Sequence, residues 1–120
     1  MPDPHQINLS RMWECDDGAS IRRIDLTNLE TTNQSVKLTR KFNCPTGLTN
    51  ESVFLVIQDF SEIARVVIND VDLVPAIASP SDNRFEVTDH LLPHNSISIS
   101  GDKLHGGLDV KVCLEICQAE

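Results

Sequence analysis

The stretch Val53–Ser100, VFLVIQDFSEIARVVINDVDLVPAIASPSDNRFEVTDHLLPHNSISIS, decides the fold. It opens on Val53 to Ile57, a run rich in branched side chains and apolar on both faces. So short an apolar run reads as a central strand covered on each side, rather than a helix. Phe60-Ser61-Glu62 makes a short connection, and Ile63 to Ile68 follows with Ala64, Val66 and Ile68 on one face. Asn69-Asp70 supplies a tight turn, because both residue types tolerate positive φ, and Val71 to Val74 returns. Pro75 to Arg84 carries two prolines among small polar residues and reads as a loop. Phe85 to Val87 and Ser96 to Ser100 are short strands on either side of a connection that Pro93 interrupts.

Working outward, most flanking segments have the period of a strand, while Thr27 to Ser35 is polar and loop-like. Ile7 to Cys15 reads as a first strand, and Asp16-Asp17-Gly18 has turn chemistry leading to a return strand at Ile21 to Leu26. Val36, Leu38, Arg40 and Phe42 alternate with Lys37, Thr39 and Lys41, which predicts a half-buried strand that Pro45-Thr46-Gly47 ends. Gly101 to Gly107 reads as a turn, and Leu108 to Cys117 alternates without a break. No segment has a convincing helical period. Eight or nine short strands with turns between them predict an all-β chain, an antiparallel β-sandwich forming a single domain over residues 1–120.

Composition narrows the function classes. The chain has 18 acidic and 10 basic residues, for a formal charge of −8. That balance argues against nucleic acid and anionic membrane, which would repel it. The N-terminus lacks the basic start and apolar core of a signal peptide, and Val53–Ile57 is too short to span a bilayer. A cytoplasmic location is the default expectation. None of Cys15, Cys44, Cys113 and Cys117 forms a C-x2-C pair. Cys113 and Cys117 stand roughly 13 Å apart along one strand, too far for a disulfide. Nothing in the sequence supports a Cys15–Cys44 bridge, and reduced structural thiols are expected.

Three pieces together look like a known family. Arg40-Lys41-Phe42 before Pro45 is followed by Ala64-Arg65-Val66-Val67-Ile68-Asn69 at a turn. Then come Phe85-Glu86-Val87-Thr88-Asp89-His90-Leu91-Leu92 and Asn95-Ser96-Ile97-Ser98-Ile99. This order, over Lys37 to Ser100, resembles the N-terminal sugar-binding domain of β-galactosidase-type glycoside hydrolases, a galactose-binding-like jelly roll. The resemblance implies a jelly-roll sandwich and a non-catalytic carbohydrate-binding role. Asp70 stands where that family has glycine, and Pro75-Ala76-Ile77-Ala78-Ser79-Pro80 replaces its aromatic, glycine-rich loop. The hydrolase barrel is absent.

The residues themselves assign Asn69 to the turn, Phe85 and Val87 to the core, and Thr88, Asp89 and Asn95 to side-chain-to-backbone hydrogen bonds at strand ends. For a ligand, Asp82, Asn83 and Arg84 would offer hydrogen bonds from the loop, and Trp13 would offer a stacking face. The competing expectation for Trp13 is burial at the core edge. His90, His94 and Asp89 are close in sequence, but Pro93 forbids the helix that would align them as metal ligands. No cofactor is expected. A structural calcium, common in the resembled modules, would draw on Asp16, Asp17 and Asp109. No nucleophile elbow, phosphate loop or zinc-peptidase helix is present, so no enzyme is expected. The expected partner is a carbohydrate, or alternatively a protein, with the oligomeric state open.

Overall fold

A computed structural model describes residues 5–26, 35–45, 50–61, 63–73, 77–78, 82–101 and 105–117. Their strands are β1 (His5–Asn8), β2 (Trp13–Asp16), β3 (Ile21–Ile24), β4 (Val36–Asn43), β5 (Ser52–Ser61) and β6 (Arg65–Ile68). After these come β7 (Val71–Asp72), β8 (Ile77–Ala78), β9 (Asp82–Glu86), β10 (His94–Gly101) and β11 (His105–Cys117). One 3-10 turn, Thr88–His90, precedes β10. The strands form two antiparallel sheets, a five-stranded one in the order β1-β11-β5-β9-β8 and a six-stranded one in the order β3-β2-β4-β10-β6-β7. The all-β sandwich expected from the alternation is the architecture found.

Period-two patterning explains where the core lies. Val53, Leu55 and Ile57 on β5, Val112 and Leu114 on β11, and Phe85 on β9 face inward from the smaller sheet. Trp13, Cys15, Leu38, Val66, Ile68, Ile97 and Ile99 meet them from the larger one. All join one buried cluster. Burial at about 1.5–3 kcal/mol for each large side chain is the main force holding the sheets together. β5 is the central strand of its sheet, as its two-sided apolar run predicts.

Several sequence expectations need correction, among them the turn over Gly101–Gly107, where Gly101 ends β10 and His105–Gly107 open β11. Ile7–Cys15 is not one strand. Ser10 takes over the ladder position next to β11, its Oγ accepting from the Val112 N–H (3.0 Å) and donating to the Val112 carbonyl (3.3 Å). Met12 then turns left-handed (φ 64°), and the chain crosses to the other sheet as β2. Next, Phe60 is core rather than connection. Asp59 adopts a left-handed φ of 55°, which bends β5 so that Phe60 is buried. Finally, the stretch Pro75–Arg84 is not an open loop. Ile77 pairs with Arg84 and Ala78 with Asn83, so β8 and β9 are hairpin-like partners, and residues 79–81 between them lie outside the described residues.

The residues that carry the family likeness form a polar knot at one rim. Asn69 and Asp70 both hold positive φ (49° and 67°) in the β6–β7 turn. Asn69 Nδ2 donates to the His90 carbonyl and to Asn95 Oδ1, both at 2.8 Å, while Asn69 Oδ1 accepts from the Ser96 N–H. Asn95 in turn holds Leu92 through both its backbone groups. Thr88 Oγ1 accepts from the Val53 N–H at 2.9 Å, fixing the exit of β9 against β5. These are fold residues, in the roles their sequence positions assign.

Candidate functional site

Two shallow hollows meet at Lys41 on the six-stranded sheet, the second of them bordered by Asn95 of the polar knot. The first, about 350 Å³, is lined by Met12, Glu14, Arg23, Thr39, Arg40 and Lys41. The second, about 340 Å³, is lined by Lys41, Phe42, Asn43, His94 and Asn95. Local strand pairing builds the first. Glu14 on β2 lies opposite Arg23 on β3 and opposite Thr39 on β4, so three adjacent strands present their outward side chains together.

The crossing from β1 to β2 forms one wall. Arg40 Nε donates to the Arg11 carbonyl at 2.8 Å, and its Nη1 donates to the Lys41 carbonyl at 2.9 Å. The Met12 N–H donates to Asp25 Oδ1. These bonds hold the bend open and leave Met12 58% exposed. Burial lowers the pKa of the Arg40 guanidinium, which still keeps its charge throughout the physiological range. Among the described residues, neither Arg23 nor Lys41 is in an ion pair. The floor thus combines apolar surface from Met12 with three cations and one carboxylate. Such a surface suits a ligand with an apolar face and directional polar groups.

This groove escaped the sequence reading. The signal was charge asymmetry along the chain: Arg11, Arg22, Arg23, Lys37, Arg40 and Lys41 are six of the ten cations and all precede residue 42. Six acids share that segment, so the whole −8 resides in residues 42–120. Composition averaged over the chain concealed a basic rim.

The residues predicted for a ligand are placed elsewhere and are not brought together. Trp13 is fully buried, and its Nε1 donates to the Leu9 carbonyl at 2.5 Å. Its indole fills the space between the sheets and offers no face for stacking. The exposed-platform expectation is corrected to burial at the core. Asp82, Asn83 and Arg84 lie on β9 within the ladder to β5. Asn83 alternates onto the face of Phe85, and Arg84 points the opposite way.

Arg84 has a partner. It crosses the outer face of β5, over the Phe54 ring (5.2 Å), to bring Nη2 within 2.6 Å of Glu115 Oε1. Gln6 Nε2 donates to the other Glu115 oxygen at 3.2 Å, and Lys111 Nζ donates to Gln6 Oε1. The hydrogen bond from Arg84 holds the Glu115 pKa down and raises that of Arg84 itself. Sequence distance hides such a pairing.

Of the three calcium donors proposed from sequence, Asp16 and Asp17 accept hydrogen bonds within their own turn. Asp16 Oδ1 accepts from the Gly18 N–H, and Asp17 Oδ1 accepts from Ala19 and Ser20, which close the β2–β3 turn. The backbone N–H of Ser20 is the leading cause of a lowered Asp17 pKa. The Asp109 side chain lies outside the described residues. His94 Nδ1 is 2.9 Å from Asn43 Oδ1. Among the described residues no three His, Cys, Asp or Glu side chains converge on a metal position. All four cysteines are free thiols. Burial raises the Cys113 pKa, and burial followed by Glu115 raises that of Cys117, both away from reactivity.

No family model matches this sequence, and no curated protein matches it. Solved structures do. An FMN-binding β-glucuronidase from Faecalibacterium prausnitzii L2-6 superposes with a TM-score of 0.75 at 17% identity, over 94% of this chain and 22% of its own. A β-D-glucuronidase from Dictyoglomus thermophilum gives 0.74 at 13% identity, over 98% and 28%. A putative β-galactosidase from Bacteroides fragilis gives 0.70 at 12% identity, over 96% and 23%. At these identities the likeness is one of fold. The chain spans about a quarter of the length of the glycosidases it matches.

Proposed function

We infer that this chain is a non-catalytic, carbohydrate-binding-like module of the jelly-roll type, working beside a catalytic domain as one part of a larger assembly. The observation carrying this reading is the near-complete overlap of its sandwich with one segment of three glycosidase chains. The strand order of the two sheets and the Asn69–Asn95 knot, which sits where the sequence resemblance lies, add support. Catalysis is assigned to the remainder of such proteins rather than to this sandwich. Burial raises the pKa of the Cys113 and Cys117 thiols, and the less exposed of the two described ion pairs, Arg84–Glu115, is a strut across β5.

The test is a backbone-amide shift titration of the full chain with neutral and acidic mono- and oligosaccharides, with and without calcium. Saturable shifts on one contiguous surface are the expected result. The absence of shifts at millimolar sugar would remove the carbohydrate reading. One observation favours a second reading, a protein-interaction module that has kept the sandwich without a sugar site. Trp13, Phe60 and Phe85 are all buried, and Phe42 and Phe54 are half-buried, so no described ring is offered as an open stacking platform. Under that reading the sugar titration is silent.

A further inference from the structure

We propose that the paired hollows around Lys41 bind an acidic oligosaccharide, one whose sugar units carry carboxylate or sulfate groups. This rests on the carbohydrate reading above and adds the place and the chemical class. In the first hollow Arg23 and Lys41 share the outward face of Glu14, and Arg40, bonded to the Arg11 and Lys41 carbonyls, lines its wall, on a chain whose overall charge is −8. Local charge opposite in sign to the whole focuses attraction on one spot and repels anions elsewhere. Arg23 on β3 and Lys41 on β4 flank β2, so the two cations stand roughly 10 Å apart, two strand spacings, and match anionic groups spaced along a short chain.

Lys41 lines both hollows, which makes it the centre of a continuous track from Arg23 to His94. Exposed Met12 at one end supplies apolar surface for the C–H face of a sugar ring, while Phe42 at the other packs against the core. Thr39 and Asn43 add neutral hydrogen-bonding groups between them. A single-stranded nucleic acid fits less well. It needs aromatic platforms for its bases, and its longer run of phosphates meets the acidic remainder of the chain.

The experiment titrates the intact chain in low salt with four matched probes: oligogalacturonate, neutral galactan oligosaccharide, dextran sulfate and neutral dextran. A single-stranded DNA oligonucleotide of equal charge is a fifth arm. The expected result is saturable shifts at Glu14, Arg23, Thr39 and Lys41 with one or both acidic probes. Which of them binds tells carboxylate from sulfate. Binding weakens as salt rises. Arg23→Gln and Lys41→Gln each weaken it about two- to fivefold, while Glu14→Gln strengthens it by roughly twofold. These side chains are exposed or half-buried, so the variants are expected to keep the wild-type melting curve.

Three results overturn the inference, and they do so differently. Equal binding of the neutral probes leaves a sugar module without charge selection. Binding by acidic probes at another surface, untouched by the Lys41 variant, removes this site while leaving the module. DNA binding as tight as that of the sugars reduces the rim to a general polyanion surface. Silence from all sugar probes ends the carbohydrate reading itself.

Discussion

Among the described residues each sheet carries one arginine–carboxylate pair on its outer face, and the two pairs are in opposite situations. On the five-stranded sheet, Arg84 and Glu115 have side chains only 22% and 11% exposed. They lie over Phe54 and Val56, next to Cys113. On the six-stranded sheet, Arg65 and Asp72 form a fork with both side chains 62% exposed. Contact geometry is similar in kind. What differs is the water each ion has given up. A partly desolvated pair is expensive to break, because the survivor is left uncompensated, whereas an exposed pair is screened and gives back side-chain entropy. One pair is therefore a strut, and the other stays in water.

The largest effect is expected at the strut. Glu115→Ala leaves Arg84 against Phe54 without its counter-ion and lowers unfolding free energy by about 2–3 kcal/mol, read from a urea midpoint. Replacing both partners with apolar residues, Arg84→Met with Glu115→Leu, recovers most of that loss, since no charge is stranded. A double variant no better than the single one would mean that the pair does more than cover the sheet. The pH response has a definite sign. The Glu115 pKa is lower in the folded state than in the unfolded chain, with the Arg84 hydrogen bond as the leading cause. Its contribution is full above the ordinary carboxylate pKa and is lost as pH falls through the folded value. Glu115→Gln should flatten that acid-side loss.

A second expectation asks whether the six-stranded side draws its stability from the turn rather than from its charges. Asn69→Ala removes three side-chain hydrogen bonds that tie the β6–β7 turn to His90, Asn95 and Ser96. It also places alanine at φ 49°. At about 0.5–1.5 kcal/mol for each hydrogen bond, partly regained by water, the loss should be about 2 kcal/mol. A loss near zero would move the anchor elsewhere. Asp70→Gly should act in the opposite direction by about 0.5–1 kcal/mol, because φ 67° strains any side chain and suits glycine.

These sites also mark how far the sequence could be read. Asn69-Asp70, Phe85, Val87, Thr88 and Asn95 were legible because turn chemistry and alternation are local properties, decided within a few residues. The break inside Ile7–Cys15 was not, since Ser10 leaves the strand for a backbone partner, Val112, 102 residues away. Arg84 looked like a free ligand donor because Glu115, its partner 31 residues on, comes beside it only after β9, β5 and β11 line up. Trp13 had two readings in the sequence, and only the packing of the two sheets selects the buried one. The basic rim needed the same step, since β3, β2 and β4 must pair before Arg23, Glu14 and Lys41 share a surface.

The smallest effect is expected at the exposed fork, and its smallness is the sharpest check on the comparison. Arg65 donates from Nη2 to Asp72 Oδ2 at 3.0 Å and from Nε to Oδ1, and the contact lowers the Asp72 pKa and raises that of Arg65. By sign alone, that should add stability above the ordinary carboxylate pKa and lose it in acid. Both side chains stand in water, where salt and solvent screen the attraction and the free ions are well hydrated. Arg65→Ala and Asp72→Ala should therefore leave the urea midpoint and the acid-unfolding curve where they are in the parent protein. If either variant fell as far as Glu115→Ala, exposure would not be what separates the two faces. The outer surface of the six-stranded sheet would then be structural as well, and less free to serve a ligand.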